Sequence, residues 1–362
     1  GRKIYLVEKS PAIGGKVATF AEIAPRLECA SCMLDPKLDE LLHNERIELF
    51  TYSEVQDVLG YFGNFIVKLK QKARQVDTNK CLGCGQCFEA CPVKVKNEFN
   101  ENLNERKAIY IPYPGALPNI ALIDKNTCLY FKDKSCQACK ESCGFDAIDF
   151  SEEDKIVELK VGAIVLATGF KLFDPRKIPE YGYGKLENVY TGLEFERLMN
   201  PSGPTQGKVV LKNGNPPKSV AIIHCVGSRD KDYHEYCSGI CCLYSLKFAH
   251  LIKEKTPSAE LFELYSELCL PGKGYQEFFH RLKDKQVNFL RIPWPQHIRI
   301  NQDNQGLSII YQGLDAKDNK FSVDMVILSA AVEPDNDAQK LAELLTIPLD
   351  KDGFFAEEHT KL

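Results

Sequence analysis

The sequence predicts an α/β protein built from two dinucleotide-binding-type domains, with a small α+β cysteine module inserted into the first. Three observations carry this expectation. The opening "RKIYLVEKSPAIGGKVA" reads as a buried strand ending in Glu8, then a glycine-bearing turn leading into a helix. The runs "VGAIVLATGF", "SVAII" and "DMVILSAAV" have the length and continuous apolarity of strands covered on both faces. The chain also holds 15 cysteines, of which twelve fall into three groups defined by spacing.

Bulk composition narrows the classes. A chain of 362 residues is too long for one ordinary core, so two or three domains are expected. A net charge of −4 from nearly balanced Lys+Arg and Asp+Glu gives no reason to invoke nucleic acid. The longest apolar runs fall well short of the roughly 20 residues that a membrane helix needs, and the chain opens on a charged strand, not a signal peptide. An odd number of clustered thiols argues against a secreted disulfide scaffold and for ligands to soft metal centres in a reducing cytoplasm.

Residues 81–92, "CLGCGQCFEACP", place Cys81, Cys84, Cys87 and Cys91 before a proline. This is the bacterial ferredoxin run, whose first three thiolates wrap one cubane while the fourth reaches a second. The partner run is Cys128, Cys136, Cys139 and Cys143; its first gap is seven residues, and Gly144 stands where proline is usual. By the crossing rule, one cluster takes Cys81, Cys84, Cys87 and Cys143, and the other Cys128, Cys136, Cys139 and Cys91. Two structural zinc sites are the alternative, disfavoured because zinc modules pair C-x2-C units around one ion. Before the module, "IELFTYSEVQDVLGYFGNFIVKLKQKARQVD" alternates like antiparallel strands, with Gly60 and Gly63–Asn64 as turn signals. After it, "DKIVELK" resumes the same kind of sheet, so residues 76–150 are expected to be an insert.

In dinucleotide-binding folds an acid at the end of the second strand holds a ribose hydroxyl, roughly 20 residues after a G-x-G-x-x-G turn. Glu8 suits that role, which places the phosphate-binding glycines before residue 1; an ordinary strand with a surface glutamate is the plain alternative. The first domain is expected over 1–75 and 151–205, the second over 206–335, and a return toward the first over 336–362. Both ends of the first domain are expected to be missing from this sequence.

The order of these parts, with "ATGF", "EYGYGKLENVYTGLEFERL", "SGPTQGKVV", "CVGSRD", "YCSGICC" and "GKGYQEFF", resembles the A-subunit family of heterodisulfide reductases over essentially the whole chain. The resemblance implies a two-dinucleotide-binding-domain flavoprotein, like thioredoxin and glutathione reductases, with an inserted two-cluster ferredoxin domain. It implies FAD and three [4Fe–4S] clusters, and an electron-transfer role, bifurcating in some members. The implied partners are B- and C-type subunits, ferredoxin and the linker subunit of a hydrogenase or formate dehydrogenase, around a homodimer core. Ala167, Thr168 and Gly169 resemble the segment that closes over the flavin pyrophosphate. Together with Glu8, Lys9, Gly14, Gly15, Lys16 and Val55 they are the implied cofactor contacts. Lys247 and Glu196 match family positions close to the flavin ring, where a positive group stabilises the anionic reduced form; two solvated surface charges are the plain alternative.

The third thiol group, Cys225, Cys237, Cys241 and Cys242, follows "SVAII" where a second dinucleotide domain would begin. A strand there normally feeds a glycine-rich turn that cradles a pyrophosphate. Here the turn has Gly227 but no G-x-G-x-x-G, and four thiolates suit a [4Fe–4S] centre instead; within the resembled family this motif binds one. A buried thiol pair with two spare cysteines is the alternative. If a cluster fills that place, NAD(P)H should not be oxidised directly. The competing readings are a zinc-stapled scaffold and an NAD(P)H-dependent reductase resembling the glutamate synthase small subunit. Cys29 and Cys32 could be a redox dithiol, two ligands with partners elsewhere, or structural. Cys269 reads as an inert core thiol, and no spacing gives His224 or His234 a ligand role.

Overall fold

The computed structural model describes residues 2–294, 297–304 and 306–357; the end of the expected return segment, 358–362, lies outside them. The chain divides into two compact units. One comprises the residues up to Thr19, Ser31–Ala167 and Glu343–Ile347; the other comprises Phe20–Ala30, Thr168–Ala342 and the residues from Pro348 onward.

In the first unit, β1 (Ile4–Val7) pairs in parallel with β2 (Ile47–Phe50). β3 (Ser53–Tyr61) and β4 (Asn64–Gln71) form an antiparallel hairpin, and β5 (Lys155–Val161) joins the far side of β4. Strands on either side of residues 76–150 are therefore direct neighbours, and the module between them leaves and re-enters one sheet. The sheet's buried residues include Leu69 and Leu159, packed with Val55 and Val67. Gly63 makes the turn at a φ of 96°. Gly60 lies within β3, at a φ of 101°, where a Cβ would fall 2.2 Å from the Asn64 carbonyl oxygen.

Two local expectations are corrected. The turn at Gly14–Gly15 enters a 3-10 helix, Gly15–Thr19, and not an α-helix. The run 163–169, expected as a buried strand, has no strand pairing and is largely exposed, with Val165 88% accessible. β1 is paired only with β2, so the apolar run finds no neighbouring ladder. Continuous apolarity marks a strand only where another strand receives its hydrogen bonds.

The module folds with little regular structure. Its helices, Gln86–Ala90, Leu129–Asp133 and Ala138–Glu141, are one turn or little more, and its paired strands are two or three residues long. Its core is Val76, Ile109, Ile123 and Ile148 packed among cysteines.

The second unit contains α2 (Gly192–Met199), α3 (Cys241–Lys255) and α4 (Tyr275–Lys283); α1 is the earlier helix Ala30–His43. Its longer strands, with one short edge strand, are β6 (Val189–Thr191), β7 (Ser219–Val226), β8 (Glu260–Tyr265), β9 (Val287–Arg291), the antiparallel set β10 (Ile298–Asp303), β11 (Gly306–Gln312) and β12 (Asp318–Val323), and β13 (Met325–Ala330); two short antiparallel pairs, Phe170–Leu172 with Val332–Pro334 and Glu22–Ile23 with Glu28–Cys29, stand apart from them. The main sheet is parallel, in the order β6–β13–β7–β8–β9. β13 is buried at every residue and β7 at all but the first, as a parallel sheet covered on both faces requires. β7 and β8 are joined through α3, and β8 and β9 through α4. β7 is the switch point: its successor β8 lies on one side and β13 on the other. In such sheets the crevice beyond the carboxyl ends of the strands at the switch point is where ligands bind.

Candidate functional site

Eight cysteines of the inserted module line two cavities. Cys81, Cys84, Cys87 and Cys143 line the first; Cys91, Cys128, Cys136 and Cys139 line the second. These are the quartets that the crossing rule groups. The exchange has a local cause. Each run enters a short helix, Gln86–Ala90 or Ala138–Glu141, that carries its third cysteine, and the fourth follows that helix and so is carried away from the preceding three. Gly83 and Gly85 take φ values of 68° and 84° in the first loop, left-handed conformations that glycine adopts without a steric cost.

Burial, then the charge of neighbouring thiols, pushes Cys87 and Cys139 up to about 12. Such mutual elevation shows thiols crowded around a common space, and a cationic metal centre reverses it by favouring thiolate. Among the described residues no three His, Cys, Asp or Glu side chains close around a single metal-ion position; the thiols instead ring wider voids. The donor sets fit [4Fe–4S] groups.

The third group sits at the carboxyl edge of the parallel sheet. Cys225 is the penultimate residue of β7, Cys241 and Cys242 are the first two of α3, and Cys237 is in the loop between. The ladder between β7 and β13 shifts register between Ile223 and Val226, and Cys225 takes a φ of 57°. A non-glycine residue held there costs on the order of 1–3 kcal/mol, a strain typical of ligand sites. Cys225, Cys241 and Cys242 are buried while Cys237 is exposed. Burial, with neighbouring thiols adding to it, pushes Cys225 up to about 12, and burial pushes Cys241 up to about 11. Burial acts upward on Cys242 too, but His224 and the Cys269 N–H outweigh it and hold that thiol below its ordinary value.

Sequence reasoning missed two neighbours. His224 is fully buried, its Nε2 2.9 Å from Oε2 of the equally buried Glu263, and its ring sits against Cys242. Burial opposes charge on the imidazole, yet Cys242 and Glu263 together push it up to about 9. The available signal was a glutamate in the middle of the strand "ELFELY". The other is Cys269, expected to be inert: it is half-buried, and its backbone N–H donates to Cys242 Sγ at 3.3 Å.

Gly227 turns the chain out of β7 at a φ of 76°, and a Cβ there would lie 2.4 Å from Cδ1 of Phe173. Gly227→Ala is expected to cost roughly 2–4 kcal/mol, from strain at positive φ plus overpacking. Urea unfolding checks this, and a loss below about 1 kcal/mol would show that Phe173 yields freely.

Lys247 and Glu196 are brought together. Each side chain is 4% exposed and they form an ion pair, so neither is a solvated surface charge. The Lys247 ammonium also donates to the Glu22 carbonyl at 3.0 Å, and Glu196 Oε2 accepts from the Ala21 N–H at 3.2 Å. Phe20 and Phe248 lie 5.4 and 5.1 Å from the ammonium. Glu196 is presented by α2, whose start carries a Thr191–Glu194 capping box.

The expected flavin contacts are more scattered. Glu8 follows β1, its backbone N–H donates to the Phe50 carbonyl, and its carboxylate accepts from the Ser10 N–H at 2.7 Å. Lys9 and Lys16 lie near it in sequence, on either side of Gly14 and Gly15, whose φ values are 117° and 53°. A Cβ on Gly14 would fall 2.9 Å from the Tyr113 hydroxyl. Val55 packs into the core of the first unit, and Ala167, Thr168 and Gly169 are exposed and outside any strand. Cys29 and Cys32 are both exposed. His234 Nε2 pairs with Glu333 Oε1 at 2.8 Å.

A family model described as a 4Fe-4S binding domain matches residues 74–96, which sets the class: an iron–sulfur protein with a ferredoxin-type module. Over its whole length the chain is 41% identical to the A-type subunit of the H(2):CoB-CoM heterodisulfide,ferredoxin reductase of Methanothermobacter thermautotrophicus, covering 54% of that protein. It is 42% identical to the iron-sulfur A-type subunit of the CoB--CoM heterodisulfide reductase of Methanocaldococcus jannaschii, covering 55%. Over its full length the chain is thus similar to A subunits of heterodisulfide reductases, and it spans about half the length of these relatives. Among solved structures it aligns with the bacillithiol disulfide reductase of Bacillus cereus at 9% identity and a TM-score of 0.40, over 97% of this chain and 83% of that one; this is too loose a likeness to bear on function. No helix among the described residues is long and apolar enough to cross a membrane.

Proposed function

We propose that this chain is the flavin- and cluster-bearing part of an oxidoreductase complex of the heterodisulfide reductase kind, relaying or splitting electrons between FAD and three [4Fe–4S] clusters. The observation that carries the reading is the carboxyl edge of the parallel sheet. Where a nicotinamide-binding domain presents a glycine turn for pyrophosphate, this one presents Cys225, Cys237, Cys241 and Cys242. The chain's own residues divide the work. The two quartets of the insert hold two clusters, and the thiols at the start of α3 hold the third, where the helix N-terminus favours the net negative charge of a thiolate-ligated centre. Glu8, with Lys9, Gly14, Gly15, Lys16 and Val55, and the segment Ala167–Gly169 hold the FAD. The Lys247–Glu196 pair fixes a buried charge for the flavin ring. When bound, the clusters supply one-electron transfer and the flavin exchange between electron pairs and single electrons.

The partners proposed are B- and C-type subunits, ferredoxin and the linker subunit of a hydrogenase or formate dehydrogenase, with a homodimer core in the cytoplasm. The relatives' names themselves pair a heterodisulfide with ferredoxin. Anaerobic mixing with NADH tests the reading: the flavin is expected to stay oxidised for want of a phosphate-binding turn. Bleaching at turnover rates would favour the runner-up, an NAD(P)H-dependent reductase resembling the glutamate synthase small subunit.

A further inference from the structure

The site at the end of β7 holds five thiols, one more than a cubane needs. Cys225, Cys241 and Cys242 are buried and account for three corners. Two thiols remain at the outer side, on two different loops. Cys237 lies between β7 and α3, and Cys269 lies in the loop between β8 and α4. The Cys269 loop is held against the site from its own backbone: the Cys269 N–H donates to Cys242 Sγ at 3.3 Å, and the Glu267 carbonyl is 4.0 Å from the same sulfur. An ion pair ties the two loops together, Arg229 Nη2 to Glu267 Oε2 at 2.8 Å. The Cys237 and Cys269 side chains are neighbours at this edge.

Neighbouring thiols on two loops tied together by the Arg229–Glu267 pair share one region of space, so a metal corner within reach of one is within reach of the other. We propose that the outermost iron of this centre has two ligand-competent thiolates, Cys237 and Cys269, either of which completes the coordination when the other is absent. This rests on the reading of the third thiol group as a cluster site. Substitution of one ligand for the other conserves charge and atoms: one thiolate leaves the iron and takes the proton that the incoming thiol gives up. No oxidation is involved. The sequence concealed the arrangement because Cys269 stands 27 residues beyond Cys242, across a complete helix-and-strand crossover.

The test uses the full chain, prepared and handled without oxygen, with iron content and electron paramagnetic resonance as readouts. Cys237→Ala and Cys269→Ala are each expected to retain the iron of the unsubstituted protein, Cys237→Ala with an altered resonance signature. The double variant is expected to lose between one iron and all four of that cubane. Loss of iron from Cys237→Ala alone overturns the proposal, as does full retention in the double variant. Cys241→Ala is the control for the underlying reading. It is expected to lose about four irons, and if it loses none there is no cluster at this edge, a failure separate from that of the exchangeable corner.

Discussion

Lys247→Ala is expected to destabilise the second unit by about 3–5 kcal/mol, because removing one member of a buried ion pair strands the other. Glu196 would keep, among the described residues, the Ala21 N–H as its hydrogen-bond partner, and its carboxylate is 4% exposed, so water cannot replace the ammonium. Taking both away is different. Lys247→Met with Glu196→Leu removes the charge and its counter-charge together, and replacements of buried pairs by apolar residues of similar size are often neutral or better. The double variant should therefore recover most of the loss, giving a coupling of at least about 2 kcal/mol in a double-mutant cycle. Denaturant unfolding followed on the second unit reads this out. Additive single effects, each below about 1 kcal/mol, would mean that the pair is solvated after all. The double variant also separates fold from chemistry. With its fold intact, a changed flavin reduction potential assigns the pair an electrostatic role toward the flavin, and an unchanged one assigns it to architecture alone.

Iron removal should unfold residues 76–150 and leave the parallel sheet standing. The module's helices and strands are too short to be stable alone, and much of its core is thiol: Cys91 and Cys139 are buried members, with Cys81, Cys87, Cys128 and Cys143 packed against them. Without metal these side chains leave two voids that no other side chain fills. In small metal-bound domains the binding free energy is folding free energy. Hydrogen exchange after anaerobic chelation is expected to show protection across 76–150 falling to that of an unfolded chain. The amides of β7, β8 and β13 should stay protected, because that sheet has an apolar core of its own, including Ala221, Ile223, Leu264 and Leu328. A metal-free module that keeps slow exchange would show that the iron does not hold its fold.

What could be read from the sequence divides along a physical line. The ferredoxin runs were legible because cluster ligands on one loop must be spaced to fit one cubane, and that spacing is local. The hairpin of β3 and β4 and the start of α3 were legible from periodicity for the same reason. Assignments that depended on distant partners fared differently. The run 163–169 has the composition of a buried strand, yet among the described residues no strand pairs with it. Cys269 looked solitary because its neighbours arrive through tertiary packing. Lys247 and Glu196 were ordinary charges in sequence, and only the meeting of α2 with α3 buries them. His224 and Glu263 carried a faint signal, two ionisable residues within strands otherwise fit for burial on both faces, but their pairing needs the register of β7 against β8.

The bulge at the end of β7 bears on how the site behaves when its charge changes. Cys225 is fixed in a left-handed conformation by a strand flanked on both sides, and Cys241 and Cys242 are locked into the first turn of a 15-residue helix. Tightly packed interiors of this kind are nearly incompressible. A single unit of charge gained or lost there meets a polypeptide that has almost nowhere to move. Under the function proposed above, a cluster held by these thiols would gain or lose an electron with little contribution from motion of the chain to the reorganisation energy.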